Sequence, residues 1–278
     1  MNIWGRVLTH RLASPVKRAG VFLASSTNMT AWVRLHTGQS LKVDLSSSVG
    51  RSIWLRGVYE AEVEACIRRT LKPGDAFIDV GAHVGYFSII AAGIVGETGE
   101  VHCFEPNGKV LELLKASIVR NGLRRVYAHP WALWSRSEML ALAVQKDSGF
   151  SYVLPVELNG ARSLLEIEKT TTLDEYVSSF VERPVRLVKV DVEGAEHHVL
   201  SGMERLMRTQ SPQLIIEAQD WSLSRYGHGL DDLFGLLQER DYQCSLLNGQ
   251  SVRDAQEARQ RLEKSWVKNL VFERVRKQ

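Results

Sequence analysis

The chain has 278 residues, 44% of them hydrophobic and 24% charged, and a formal net charge of +3. This is the profile of a soluble globular protein, large enough for one α/β domain with an extension or at most two domains. No apolar run approaches the ~20 residues of a membrane-spanning helix, and three scattered cysteines (Cys66, Cys103, Cys244) exclude a disulfide framework and favour a reducing cytosol.

Residues 1–30 are weakly amphipathic, broken at Pro15 and Gly20, and predict a loosely packed arm; Val21 to Ala24 is too short an apolar stretch for a secretory signal. Trp32–His36 and Leu41–Leu45 flank Thr37-Gly38-Gln39-Ser40 and predict a hairpin. From Glu60 the pattern turns helical, with Val63, Ile67 and Leu71 on one face, until Pro73-Gly74 stops it. A buried strand over 77–80, a tight turn and a packed helix over Tyr86–Val95 follow. Glu100–Phe104 is a second apolar strand. Val110, Leu111, Leu114 and Ile118 share a face of the next helix, which ends at Asn121-Gly122. Arg124–Trp134 reads as a third strand. Met139–Val144 and Ser151–Val156 read as an inserted hairpin turning at Asp147-Ser148-Gly149, and Thr172–Phe180 as a short helix capped by Thr171 or Thr172. The run VRLVKVDVEGAE over 185–196 opens as a buried strand and leads into a helix from Ala195 to about Met207. A strand over Gln213–Ala218, a helix over Leu230–Glu239, a strand over Tyr242–Leu247, a helix over Asp254–Lys264 and a strand over Val267–Val275 complete the chain. This alternation predicts a parallel, doubly wound α/β sheet, with an arm and β-hairpin extension over 1–56 and the main domain over 57–278.

The stretch FIDVGAHVGYF organises the rest. Gly81 predicts a tight turn whose bare backbone a ligand can approach, and Gly85 a helix lying close to the strand. The pattern acid-x-Gly-x-x-x-Gly has two glycines, not the three of a dinucleotide-pyrophosphate loop. A nucleoside without phosphates therefore fits best, S-adenosylmethionine above all; a plain strand-turn-helix corner is the bland alternative. Ligands in such a sheet gather at the carboxyl ends of strands where the strand order reverses. Four predicted strands end in or beside an acid there: Asp79, Glu105, Asp191 with Glu193, and Glu217. Glu105, followed by Pro106, is placed to accept hydrogen bonds from both hydroxyls of a ribose, unless it is a surface acid before a proline turn. Asp79 is placed to fix the loop amides or the cofactor ammonium. Tyr59 and Glu60 are placed to close over the cofactor, although Glu60 equally suits the helix macrodipole. Trp131-Ala132 lies where an adenine edge would rest, with Trp131 as core the plainer reading. His83, inside the glycine loop, is counted with these cofactor contacts.

Taken together, FIDVGAHVGYFS, CFEPN, WALW, TTLDEY, LVKVDVEGAEHHVLSGM and LIIEA resemble the FkbM-type S-adenosylmethionine-dependent methyltransferases over roughly residues 57–220, and more weakly at KNLVFE. KVDVEGAE is the most specific part. The resemblance implies a Rossmann-like class I methyltransferase sheet, S-adenosyl-L-methionine as methyl donor with S-adenosyl-L-homocysteine as product, and O-methylation of sugars, polyketides or other secondary metabolites. It implies cofactor binding for Gly81, Gly85 and Glu105 and puts Asp191, Glu193 and Glu196 in the signature turn. His83 stands where Asn is commoner, and WALWS where a more polar strand end is usual.

Methyl transfer from a sulfonium is an in-line displacement that needs alignment, exclusion of water and, for a hydroxyl acceptor, removal of a proton. Asp191 is the first choice of base, since it ends a central strand opposite the glycine loop; Glu193 is the second. His198 ranks lower, because its helix would turn it outward or onto the sheet. The structural alternatives are Asp191 as a helix cap and Glu196 as partner of a nearby Lys or Arg. Asp191, Glu217 and Asp220 form a conceivable divalent-cation set, but their spacing is not diagnostic and no metal is expected. Residues 1–43 carry six Lys or Arg and no acid, and residues 251–278 a basic surplus of four, leaving the middle acidic. Such basic ends suit a membrane surface or an anionic acceptor, or are simply solvated. The expectation is a cytoplasmic enzyme acting on a small-molecule or glycan acceptor. Methylation of RNA or protein, and a non-catalytic nucleoside-binding module, remain the alternatives, though no nucleic-acid module is readable; a nicotinamide oxidoreductase is disfavoured by the missing glycine.

Overall fold

The computed structural model describes residues 29–144, 151–154, 164–265 and 267–275. Thr30–Arg34 (β1) and Ser40–Asp44 (β2) form the expected antiparallel hairpin, with Val33 opposite Leu41. The Ser47 side chain accepts from Gly50 N and starts Ser48–Arg56 (α1), a helix that its weak apolar pattern does not announce. Ala61–Thr70 (α2) buries Val63 and Ile67 as its periodicity requires. Ala76–Val80 (β3) and Glu100–Phe104 (β4) are buried at every residue, as strands covered on both faces must be. Between them runs Tyr86–Val95 (α3). Gly108–Arg120 (α4) is capped by Asn107, whose side chain accepts from Lys109 N and Val110 N.

The stretch expected as one strand from Arg124 to Trp134 is two, Val126–His129 (β5) and Ala132–Leu133 (β6). Pro130 lies between them, and proline has no N–H for a ladder. β6 leaves the main sheet. With Met139–Val144 (β7), Ser151–Leu154 (β8) and Leu164–Thr171 (β9) it forms a small sheet in the order β6-β9-β7-β8. The inserted hairpin is thus β7 with β8, and β9 is an unanticipated third partner. Its turn at Asp147-Ser148-Gly149, residues 155–156 and the arm up to residue 28 lie outside the described residues.

Leu173–Phe180 (α5), capped by Thr172, leads to Val185–Val190 (β10). The helix expected from Ala195 to Met207 is broken into Glu196–Ser201 (α6) and Glu204–Thr209 (α7). Gly202 sits at the break, where a Cβ would lie 2.1 Å from the Trp134 carbonyl oxygen, so the chain turns on bare backbone. Gln213–Glu217 (β11), Asp220–Leu223 (α8), Leu230–Gln238 (α9), Tyr242–Leu246 (β12), Ser251–Val252 (β13), Ala255–Leu262 (α10) and Asn269–Arg274 (β14) follow.

The main sheet has the order β13-β12-β14-β11-β10-β3-β4-β5. From β5 to β11 all neighbours are parallel; β14 is antiparallel to both β11 and β12, a departure from the fully parallel expectation. β13 turns back on β12 as a hairpin, and α10 then carries the chain across to β14, which runs in the direction of β13. From β3 the chain steps out to β4 and β5, then returns to β10 on the other side of β3. The strand order reverses there, and a crevice opens beyond the carboxyl ends of β3 and β10.

The hairpin is stitched to α4. Ser40 N donates to Asn121 Oδ1 (2.8 Å), Asn121 Nδ2 to Ser40 O (2.6 Å), and Lys42 N to Ser117 Oγ (2.9 Å). Its buried Leu41 and Val43 belong to the same hydrophobic core as Ile89 and Leu114. Among the described residues, no helix is long and apolar enough to cross a membrane.

Candidate active site

β3 ends at Val80, and the amides of Gly81 and Ala82 both donate to Phe104 O at 3.0 Å, which folds the glycine corner onto the end of β4. Gly81 has φ +80°, and a Cβ there would lie 1.8 Å from the backbone oxygen of Asp191. Its bareness therefore makes room for the end of β10, and Gly81 also lines the cavity beyond it. Gly85 (φ +84°) would place a Cβ 2.2 Å from Leu114 Cδ1, so it admits α4 and not, as expected, the strand. His83 takes φ +51°, a left-handed conformation that Asn and His adopt more readily than most side chains.

The His83 N–H donates to Glu105 Oε2 (3.0 Å), and Asn107 N donates to Glu105 Oε1 (2.9 Å). The buried carboxylate thus pins the glycine loop and the start of α4 at once. A carboxylate offers about four acceptor positions, so two remain for hydroxyls. Burial pushes Glu105 up to about 7, against the lowering effect of the Asn107 and His83 amides.

Glu105 and Pro106 line a cavity over the crevice. Tyr59, His83, Phe87 and Lys189 face it as well, and Trp131 with Ala132 closes the β5–β6 side. Asp191 and Glu193 line it from the turn after β10. Trp131 is therefore cavity wall and, half-buried, also packs against the core; it stacks on His129 (centroids 4.8 Å apart, 24° between planes). Both ring nitrogens of His83 are buried without a hydrogen-bond partner among the described residues, and burial first holds this imidazole down to about 4, hence neutral. A buried, unpartnered imidazole beside a carboxylate with spare acceptor positions and an aromatic wall suits a nucleoside with a polar tail.

Three expected contacts stand back from the cavity lining. Asp79 is fully buried beneath the corner and accepts from Ser88 Oγ (2.5 Å), so it anchors α3 instead of the loop amides. Gly85 lies behind the loop. Glu60 sits at the start of α2 with φ +40°; burial first, then Asp191, pushes it up to about 7.

The signature turn is built from inside. Glu196 is fully buried, and its Oε1 accepts from Val192 N (3.0 Å) and Gly194 N (3.2 Å), so it organises backbone amides and not a Lys or Arg. Gly194 has φ +108°, and a Cβ would lie 2.1 Å from the Ser222 carbonyl oxygen. His198 stacks on Trp134 (3.8 Å, 15°), away from the cavity lining. Asp191 Oδ2 accepts from Lys189 Nζ at 2.7 Å. Lys189 was not anticipated, although a lysine in the apolar run VRLVKV demands a partner and was a readable signal.

One carboxylate oxygen from each of Asp191, Glu193 and Glu217 lies within 4.8 Å of the others. Asp220, expected in such a set, is instead held by Arg259 through contacts of 2.7 and 2.9 Å, and Glu193 takes its place. Glu193 is pushed up to about 7, by burial first and then by Asp191. Glu217 is held well above the carboxylate range, again by burial first and then by Asp191, Glu196 and Glu193.

An acid raised in the native state keeps a proton that the unfolded chain has released. Its stabilising effect is full below the unfolded pKa and is lost as pH rises through the native one. His83, His129 and His198, each held down to about 4 with burial the first cause, act oppositely below their unfolded value of about 6.5. The carboxyl effect should therefore show above neutrality, through Glu217. Melting temperature is expected to fall between about pH 7 and about pH 9. Glu217→Gln, which keeps the acceptor for Gln219 Nε2, should lose less melting temperature than the parent over that interval. Parallel pH–melting curves for the two proteins would contradict this.

Residues 79–244 match the model of the Methyltransferase FkbM domain. Over 180 residues, 54% of this chain and 67% of the other, the chain is 27% identical to 31-O-demethyl-FK506 methyltransferase FkbM of Streptomyces tacrolimicus. A stretch of 65 residues, 23% of this chain and 28% of the other, is 29% identical to ribosomal RNA small subunit methyltransferase G of Mycoplasmopsis pulmonis. The solved structure of methyltransferase FkbM from Methylobacillus flagellatus aligns with a TM-score of 0.45 and 16% identity, covering 80% of this chain and 52% of that one. The chain spans about half the length of that structure.

Proposed function

Because the chain belongs to the FkbM methyltransferase family, we propose that it moves a methyl group from S-adenosylmethionine to a hydroxyl of an uncharged sugar, glycan or secondary metabolite. The observation that carries this reading is a cavity with Glu105 on one side and Asp191 and Glu193 on the other, their carboxylates converging with that of Glu217. Glu105 would hold the ribose hydroxyls, Trp131 and Ala132 the adenine edge, and His83 the polar tail. When bound, S-adenosylmethionine supplies an electrophilic methyl group. Tyr59, Phe87 and Trp131 exclude water from that end of the cavity. Asp191 accepts the proton of the acceptor hydroxyl, and Glu193, next to it on the turn, is the second candidate.

A neutral acceptor is favoured over RNA because Lys189, the one Lys or Arg among the described residues that line the cavity, is already paired with Asp191 and leaves no free positive charge there for a phosphate. Residues 57–278 would carry the transferase, and the preceding segment would border the acceptor, since Val49 reaches the cavity. Three buried free cysteines suit a reducing compartment such as the cytoplasm.

The test is transfer from methyl-labelled S-adenosylmethionine to a panel of methyl hexosides, a hydroxylated macrolactone and a ribosomal RNA hairpin. Product is expected on a neutral hydroxyl compound; product on RNA alone would overturn the reading. With the accepted compound, Asp191→Asn should lower kcat by about 100- to 10,000-fold, the range of general base catalysis, with S-adenosylhomocysteine affinity little changed. An unaltered kcat would remove Asp191 from that role.

A further inference from the structure

Lys189 is 2% exposed near the end of an apolar strand, yet it lines the cavity. An ammonium in such a place must be paired to be tolerated. It lies in register beside Asp79 of β3, whose Oδ1 has no hydrogen-bond partner, and its Nζ is 5.2 Å from the centre of the Phe87 ring. Among the described residues its one ion pair is with Asp191 Oδ2, at 2.7 Å. Residues 189 and 191 stand two apart at the end of a strand, so both side chains leave the same face. Asp191 is 27% exposed and opens to the cavity; Lys189 is closed off behind it.

We propose that Lys189 is a positioning residue: it grips one oxygen of Asp191 and so turns the other toward the acceptor hydroxyl. This rests on the reading of Asp191 as the base. Lysine suits the task because a compact ammonium on a stiffly packed stem fixes a single oxygen, whereas an arginine fork would engage both. The Phe87 ring centre lies 5.2 Å from that ammonium, and Asp79, its register partner on β3, adds a second attraction. Burial alone would depress Lys189, but Asp191, Asp79 and Glu60 outweigh it and hold it above its ordinary value, so it stays charged.

The test is a double-mutant cycle on the full chain, read with the accepted compound from the panel above. Lys189→Met should lower kcat ten- to a hundredfold while S-adenosylhomocysteine affinity stays within threefold. In the Asp191→Asn background the same change should cost less than threefold, because nothing is left to position. Equal losses in both backgrounds, or a loss of cofactor affinity as large as the loss of kcat, would overturn the proposal. If Asp191→Asn alone leaves kcat unaltered, the reading of the base fails first and this one with it. A second measurement needs neither an acceptor nor a substituted Lys189. The isotope-labelled Lys189 ammonium should give a signal protected from solvent exchange, and Asp191→Asn should abolish that protection while Asp79→Asn leaves it. Protection that survives Asp191→Asn overturns the proposal.

Discussion

Glu105→Ala is expected to weaken S-adenosylhomocysteine binding at least about 100-fold. A hydrogen bond to a charged group contributes roughly 1.5–3 kcal/mol, and the proposal gives Glu105 two, one to each ribose hydroxyl. Their joint loss is about 3–6 kcal/mol, where each 1.4 kcal/mol is a factor of ten. The alanine also deprives His83 N and Asn107 N of their acceptor, loosening the loop that frames the cavity. Glu105→Gln should be nearly as damaging, for a reason visible without any ligand. Both backbone partners are donors, so the amide NH2 must face one of them. Calorimetry with the two variants decides the matter, and affinity within tenfold of the parent would remove Glu105 from the ribose role. The pH dependence has a fixed sign. Burial pushes Glu105 up to about 7 and the ionised form accepts best, so affinity should climb as pH rises toward that value and level off above it.

Most strands of the main sheet were legible because they are short, apolar and punctuated, and so were the acids at or beside the tips of β3, β4, β10 and β11; the two-residue β13 was not. What one segment does to another was not. Gly81 and Gly85 were found, but the neighbours that crowd them were not, since nothing local reveals that the end of β10 and Leu114 lie against them. Asp79 reads like a site residue because it precedes the corner. Only the register of β3, buried on both faces, shows that it points at Ser88. α1 escaped notice because its burial comes from three residues, Val49, Gly50 and Ile53, and not from a long stripe. The antiparallel β14 cannot be told from a parallel strand by composition, since direction is set by the β13 hairpin that precedes its crossover. Within the site, a contrast of charge was informative and was overlooked: Lys189 is a cation inside an apolar strand, two residues before an acid.

Gly81→Ala and Gly194→Ala should cost far more stability than Gly57→Ala, although all three glycines are left-handed. A Cβ at Gly57 (φ +72°) meets nothing within 4 Å, so alanine there bears only the conformational penalty, about 1–2 kcal/mol. At Gly81 and Gly194 the Cβ would fall 1.8 and 2.1 Å from backbone oxygens, those of Asp191 and Ser222. A backbone oxygen cannot swing aside like a side-chain end, so strand and turn must separate. That adds an overpacking cost of about 1–3 kcal/mol or more. With roughly 2–4 °C per kcal/mol for a domain of this size, melting should drop by about 10 °C or more at the two crowded glycines and by only a few degrees at Gly57. Similar drops at all three would sink the packing account. The oxygen crowded by Gly81 belongs to Asp191 itself, so any Gly81→Ala protein that does fold should hold its cavity carboxylate out of place and transfer methyl groups poorly. In this fold the glycine corner sets the position of the carboxylate across the crevice as firmly as it sets its own turn.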